Sequence, residues 1–179
     1  MAELHTLVKT RQKPTGPVQT FTIDTSSKRE SVKMSSDDAA GVLIRFTNGA
    51  RATISISQIS SGRKNSINWE ISGPDGSLAF DSENPEQLWI GHRGKANELL
   101  QRDLSMLSPS AAKISFYPGG HIEGFSETFR GLFERVYADI ESESRSATYP
   151  TFADGVRSLQ ITDAIAESSQ KSSWVKVKR

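Results

Sequence analysis

From Ala39 onward, apolar and polar positions alternate with a period of two, the signature of strands with one covered face. Val42, Ile44 and Phe46 interleave with Leu43, Arg45 and Thr47, and Asn48-Gly49 then supplies the residue pair that tolerates positive φ at a hairpin. The return strand sets Ala50, Ala52, Ile54 and Ile56 against Arg51, Thr53, Ser55 and Ser57. Beyond the turn Ser60-Ser-Gly-Arg-Lys64, Ile67, Trp69 and Ile71 alternate with Ser66, Asn68, Glu70 and Ser72. The turn Gly73-Pro-Asp-Gly76 leads to Leu78 and Phe80, and Leu88–Ile90 reads as a further strand. This is an antiparallel meander with an apolar face and an opposite face of Thr53, Ser55, Ser57, Asn68 and Glu70, which suits solvent and an assembly partner equally.

The period then changes to 3.6. In Glu123–Glu141 the positions Phe125, Phe129, Leu132, Phe133, Val136, Tyr137 and Ile140 form a broad helical stripe, which places Phe125 and Phe129 in the core. Thr151-Phe-Ala-Asp154 has the spacing of a capping box, and Phe152, Val156, Leu159, Ile161 and Ile165 line the helix that follows. Before Ala39, Leu4–Arg11 and Gln19–Ile23 suggest strands, Lys13–Pro17 a loop, and Thr25–Asp38 an exposed connection; Trp174–Val177 suggests a closing strand. The resulting expectation is a single α+β domain over residues 1–179, an open-faced, mostly antiparallel sheet with helices packed on one face.

Composition changes this picture mainly by exclusion. Twenty-two Lys and Arg against 21 Asp and Glu leave a net charge of +1, which gives no reason to expect nucleic acid or an anionic membrane as partner. There are no cysteines, hence no disulfide, thiolate metal site or cysteine nucleophile. The first residues carry no basic segment leading into an apolar run, so a cytoplasmic protein is expected.

Several chemical-looking patterns fail on inspection. Gly119 and Gly124 have P-loop spacing, but Phe125 and Ser126 stand where Lys and Ser/Thr would follow. No Gly-x-Gly-x-x-Gly follows a strand, so no dinucleotide site is expected within this chain. His5, His92 and His121 lack metal-ligand spacing, and His5 and His92 read as surface residues. A hydrolase using Glu123 and Glu127 would place both carboxylates beside one apolar stripe without an evident cleft. The stretch Tyr117-Pro-Gly-Gly-His-Ile-Glu-Gly-Phe125 is richer: His121 follows two glycines that permit close backbone approach, and it leads into a helix. A neutral imidazole there can exchange hydrogen bonds with a polyol, or help cap the helix.

Read together, Asp38-Ala-Ala-Gly-Val-Leu-Ile-Arg-Phe-Thr-Asn-Gly49, Ser57-Gln-Ile-Ser-Ser-Gly-Arg-Lys-Asn65, Trp69-Glu-Ile-Ser-Gly-Pro-Asp-Gly-Ser-Leu78, the Tyr117–Phe125 stretch, Tyr149-Pro-Thr-Phe-Ala-Asp-Gly155 and Trp174-Val175 carry a resemblance. In this order they resemble the C-terminal half of the Gfo/Idh/MocA family of NAD(P)-dependent oxidoreductases, most like members acting on free or anhydro-sugars and inositols. The resemblance implies an N-terminal Rossmann domain that binds NAD or NADP, with a Lys from Glu-Lys-Pro and an Asp-x-x-x-His pair at the substrate carbon. It also implies a C-terminal open-faced sheet that builds a dimer or tetramer.

Neither the Rossmann half nor the Asp-x-x-x-His pair is found here, and Lys13-Pro14 lies in the wrong half to stand for the Lys motif. The expectation is therefore a substrate-binding and oligomerisation domain, catalytically inactive alone, binding no cofactor and no metal itself. In the intact enzyme His121, with Arg63 and Lys64, would hydrogen-bond a sugar or polyol, and Glu123 would orient His121 or favour the helix start. The rival expectation is a stand-alone binding or assembly module that works with a separate partner chain.

Overall fold

A computed structural model describes residues 1–19, 28–143 and 147–178. The elements run β1 (Ala2–His5), β2 (Thr10–Pro14), β3 (Arg29–Lys33), β4 (Ala39–Arg45), β5 (Arg51–Ser57), β6 (Asn68–Ser72), β7 (Gly76–Asp81), β8 (Gln87–His92) and β9 (Glu98–Gln101). A 3-10 turn at Leu104–Met106 leads to α1 (Pro109–Ala112), α2 (Phe125–Glu141) and α3 (Phe152–Lys171). Open antiparallel sheets with helices make this the expected α+β class. The strands are shared among three sheets, ordered β1-β4-β5, β2-β3 and β6-β7-β8-β9. The chain divides into two compact units, Met1–Ser61 with Phe152–Arg179, and Gly62–Thr151.

In the first unit, β4 and β5 pair with Val42 opposite Ile54 and Ile44 opposite Ala52, so the apolar alternation meets across the strands. The hairpin closes at Gly49, whose φ is +95°, while the Asn48 side chain accepts from the Ala50 N–H at 3.1 Å. β1 adds to β4 with Ala2 opposite Val42 and Leu4 opposite Ala40. Alternate N–H groups of an antiparallel edge point away from its partner, and here α3 receives them. Ala2 N–H donates to Ser168 Oγ at 2.9 Å and Leu4 N–H to Ser169 Oγ at 3.0 Å. Val42, Ala2, Ala164 and Ser168 are buried. On the opposite side of β4 and β5, Leu43, Thr53, Ser55 and Ser57 are exposed.

Three expectations for this unit are corrected. Lys13 and Pro14 end β2 rather than lying in a loop, and Arg29–Lys33, expected as part of a connection, is its partner β3. Arg29, Glu30 and Ser31 are exposed, so this ribbon has no covered face to impose an apolar alternation on its sequence. The segment from Trp174 forms no strand; its indole lies 4.0 Å from the Arg45 guanidinium, and the Lys178 carbonyl accepts from Arg157. The strand expected over Gln19–Ile23 falls, apart from Gln19, outside the described residues.

In the second unit, β6 to β9 form a continuous antiparallel meander. Trp69 stacks on its cross-strand neighbour Phe80, with ring centroids 5.6 Å apart. The other face of this sheet carries Asn68, Glu70, Asp81, Gln87, Trp89 and Leu99 around an open trough of 470 Å³. Thr53, Ser55 and Ser57 on β5 and Asn68 and Glu70 on β6 therefore belong to two sheets, not to one polar face. The turn between those strands, with Asn65 at φ +58°, ends one hydrogen-bonding ladder and begins another.

α2 begins at Gly124, whose N–H donates to Glu127 Oε2 at 2.8 Å. Leu132 and Val136 are half-buried, but Phe125 and Phe129 are exposed, which overturns their assignment to the core. They meet edge to face with centroids 5.0 Å apart, one turn apart on the outer side of the helix.

Candidate functional site

The Tyr117–Phe125 stretch folds as a tight turn laid over an ion cluster. The turn runs Pro118-Gly119-Gly120-His121, with His121 N–H donating to the Pro118 carbonyl at 3.2 Å. Gly120, third in the turn, has φ +84°, a conformation that side chains disfavour. His121 is thereby carried at the end of the turn with its side chain exposed.

What holds the turn comes from the sheet. β8 and β9 pair Gln87 with Gln101, so the next step of the ladder brings Glu86 opposite Arg102, whose N–H donates to the Glu86 carbonyl at 2.7 Å. The Arg102 Nε donates to both Glu86 oxygens, at 3.0 and 2.9 Å. Nη1 donates to Ser115 Oγ at 2.8 Å and the Tyr117 carbonyl at 2.7 Å, and Nη2 to the His121 carbonyl at 2.7 Å. Nη2 also lies 3.5 Å from the Pro118 carbonyl. The planar fork of arginine thus ties one carboxylate to both ends of the turn, which a lysine ammonium cannot do.

Glu123 closes the cluster from the far side. Its Oε1 accepts from Phe116 N–H at 2.7 Å, Tyr117 N–H at 2.6 Å and Ser115 Oγ at 3.1 Å, and sits 3.2 Å from Arg102 Nη1. Its own N–H donates to Glu86 Oε1 at 2.9 Å. Side-chain exposure is 14% for Arg102, 10% for Glu86 and 11% for Glu123. The Arg102 hydrogen bonds hold the Glu86 carboxyl below its ordinary pKa, against the opposing effect of burial and with help from the Glu123 N–H. Hydrogen bonding to Glu86 raises Arg102 in turn. Glu123 therefore braces the backbone before the turn rather than contacting the His121 ring, and Glu127 caps α2. Both carboxylates have structural partners, which leaves the paired-carboxylate hydrolase without its groups.

The other expected residues stand as follows. Arg63, in the turn before β6, pairs with Glu83 just after β7, and Lys64 is exposed beside Arg63. Among the described residues no hydrogen bond or ion pair joins either of them to His121. His92 shares Glu98 Oε1 with Lys95, at 2.9 and 2.5 Å. No group of three His, Asp or Glu among the described residues could hold a metal ion. No helix among them is long and apolar enough to cross a membrane. Glu86 and Arg102 were not anticipated from the sequence. Their one local signal is that each stands at a strand terminus, where a charged residue passes for a solvated turn.

The profile described as "Oxidoreductase family, C-terminal alpha/beta domain" (GFO_IDH_MocA_C) matches residues 15–177. This chain belongs to the Gfo/Idh/MocA oxidoreductase family, as its C-terminal domain. It is 31% identical over 146 residues to levoglucosan dehydrogenase of Pseudarthrobacter phenanthrenivorans, which spans 79% of this chain and 36% of that protein. The apo form of a levoglucosan dehydrogenase superposes over 99% of this chain and 45% of its own, with a TM-score of 0.85 and 26% identity. A levoglucosan dehydrogenase in complex with NADH and L-sorbose does so over 99% and 44%, at a TM-score of 0.79 and 27% identity. The chain thus spans less than half the length of the relatives it matches.

NADH is the cofactor named for these relatives, and the residues present here do not fit it. A dinucleotide is held at the start of a helix that joins two parallel strands through a glycine-rich turn. Among the described residues every strand pairing is antiparallel. The turn ahead of α2 spends its polar groups on Arg102, Glu86 and Glu123. The turn ahead of α2 does carry one exposed imidazole, that of His121, with the backbone beneath it held by Arg102.

Proposed function

We propose that this chain is the substrate-binding and oligomerisation part of an NAD(P)-dependent sugar or polyol dehydrogenase, inactive alone. His121 makes the principal contact with the sugar hydroxyls, and Arg63 and Lys64 add to it. One observation carries the reading. His121 is exposed while the carbonyls of Tyr117, just before its turn, and of His121, at its end, are each anchored on Arg102 at 2.7 Å. A hydroxyl-rich ligand presents adjacent donors and acceptors, and an immobilised imidazole meets such a pair without first losing backbone freedom. A levoglucosan dehydrogenase to which this chain is similar is found in complex with NADH and L-sorbose, which supports the same substrate class. Hydride transfer needs a nicotinamide held beside the substrate carbon, and the all-antiparallel strand pairings among the described residues support assigning that task to another part of the enzyme.

The test is a pair of titrations on the chain itself. Levoglucosan, L-sorbose or myo-inositol should shift the His121 ring resonances saturably, and His121→Ala should abolish saturation. NADH should produce no saturable fluorescence change. Undiminished sugar binding by the alanine variant, or tight NADH binding, would refute the reading.

For oligomerisation the partner is a second copy. Leu43 beside Thr53, and Trp89 and Leu99 among polar neighbours in the trough, leave apolar surface on open sheet faces.

A further inference from the structure

We propose that Arg102 is a positioning residue for sugar recognition, setting where the His121 imidazole stands; this rests on the reading of His121 as the sugar contact. Four acceptors of the turn and its approach converge on one guanidinium: the Ser115 hydroxyl and the carbonyls of Tyr117, Pro118 and His121. Glu86 fixes the guanidinium from behind through Nε, and an ion pair at 2.8 Å engages Nη2 as well. The orientation of the fork therefore dictates the height of the turn above the sheet.

Backbone packing supports this independently. A Cβ placed on Gly119 would lie 3.3 Å from the Arg102 carbonyl oxygen, so the turn rests on the Arg102 main chain with too little room for a side chain unless one of them shifts. Side-chain bonds pull the turn down and the main chain stops it. His121 follows two residues later, with Gly120 at positive φ between them, and any lift at Gly119 is passed to the imidazole.

Two substitutions separate position from charge. Arg102→Lys keeps the cation but replaces a five-donor fork with a point charge. Gly119→Ala alters no charge and no hydrogen-bonding group, and displaces the turn by a few tenths of an ångström. The chain holds three histidines, so ring 15N–1H spectra resolve His121 from His5 and His92 once His121→Ala assigns it.

In both variants the His121 ring resonances should move or broaden while those of His5 and His92 stay in place. Levoglucosan affinity should fall by about tenfold in each, the scale of one weakened hydrogen bond. Unmoved His121 resonances together with wild-type affinity in both variants would overturn the positioning role. If His121→Ala retains wild-type sugar affinity, the sugar reading fails instead, and the ring resonances of the other two variants still report whether Arg102 sets the turn. Should Arg102→Lys not fold, Gly119→Ala carries the same two readouts.

Discussion

Truncating Arg102 to alanine should cost this protein about 3 kcal/mol of stability, the low end of what is lost when one partner leaves a buried ion pair. The substitution removes the donors to both Glu86 oxygens, to Ser115 and to the Tyr117 and His121 carbonyls. It leaves two carboxylates, Glu86 and Glu123, at 10% and 11% exposure without their shared cation. The low end applies because part of the compensation survives. Glu123 Oε1 keeps the N–H groups of Phe116 and Tyr117, and Glu86 keeps the N–H of Glu123. For a chain of this length, 3 kcal/mol corresponds to a fall in Tm of roughly 6–12 °C.

Urea titration followed by tryptophan fluorescence measures it, since Trp69 and Trp89 lie in the sheet that carries Glu86 and Arg102. A loss below about 1 kcal/mol would mean that water already screens the cluster, and the argument from burial would fail.

The pH dependence identifies the cause. Glu86 has a folded pKa below its ordinary 4.5, so its contribution is complete above that value and is lost as pH falls through the depressed one. Without Arg102 the main depressing interaction is gone. The gap between wild type and variant should then be widest near neutrality and close in acid. A gap that stays constant from neutral pH down through the carboxylate range would assign the cost to lost packing instead.

The remaining predictions concern other joints of the structure. Ser168→Ala strands the buried Ala2 N–H, which now donates to Ser168 Oγ at 2.9 Å, and should destabilise by about 1–3 kcal/mol in thermal unfolding. Gly120→Ala forces a side chain to φ +84° and should cost about 1–2 kcal/mol by the same assay, together with weaker levoglucosan binding. Leu43→Glu places a charge on the exposed face of β4 and β5, and should lower the association measured by sedimentation velocity; a wild type that is monomeric at every concentration would refute assembly through that face.

Much of the fold was legible because burial writes a period into the chain. Val42 and Ile44 face Ile54 and Ala52 across the β4–β5 ladder, and the Asn48-Gly49 pair marks the turn between them. α2 and α3 were legible as helices from their 3.6-residue apolar stripes, but those stripes did not report burial: Phe125, Phe129, Phe133 and Tyr137 on α2 and Phe152, Val156 and Leu159 on α3 are exposed. The β2–β3 ribbon was missed because Arg29, Glu30 and Ser31 are solvated, and a strand whose pairing covers no face leaves no alternation to read. The division of the strands into three sheets was not legible either. Strand propensity is local, whereas the choice to end one ladder at Ser57 and begin another at Asn68 is made by pairing partners that no local pattern specifies.

The candidate site divides along the same line. Its tip is encoded within a few consecutive residues, where Pro118, Gly119, Gly120 and His121 name the turn and its exposed imidazole. Its base is assembled from Glu86, Arg102 and Glu123, the last two standing 16 and 37 residues from Glu86 along the chain. They meet only because β8 and β9 hold a register that sets Glu86 opposite Arg102, and because the turn doubles back over that pair. A charged residue at a strand end looks the same in sequence whether it meets water or a second charge. Burial separates the two cases, since a cation in contact with two carboxylates persists beneath a surface only when its remaining donors are also met. Here the backbone of the turn meets them, which makes the Tyr117–His121 loop a necessary part of the ion cluster and the cluster the reason that His121 has one place to stand.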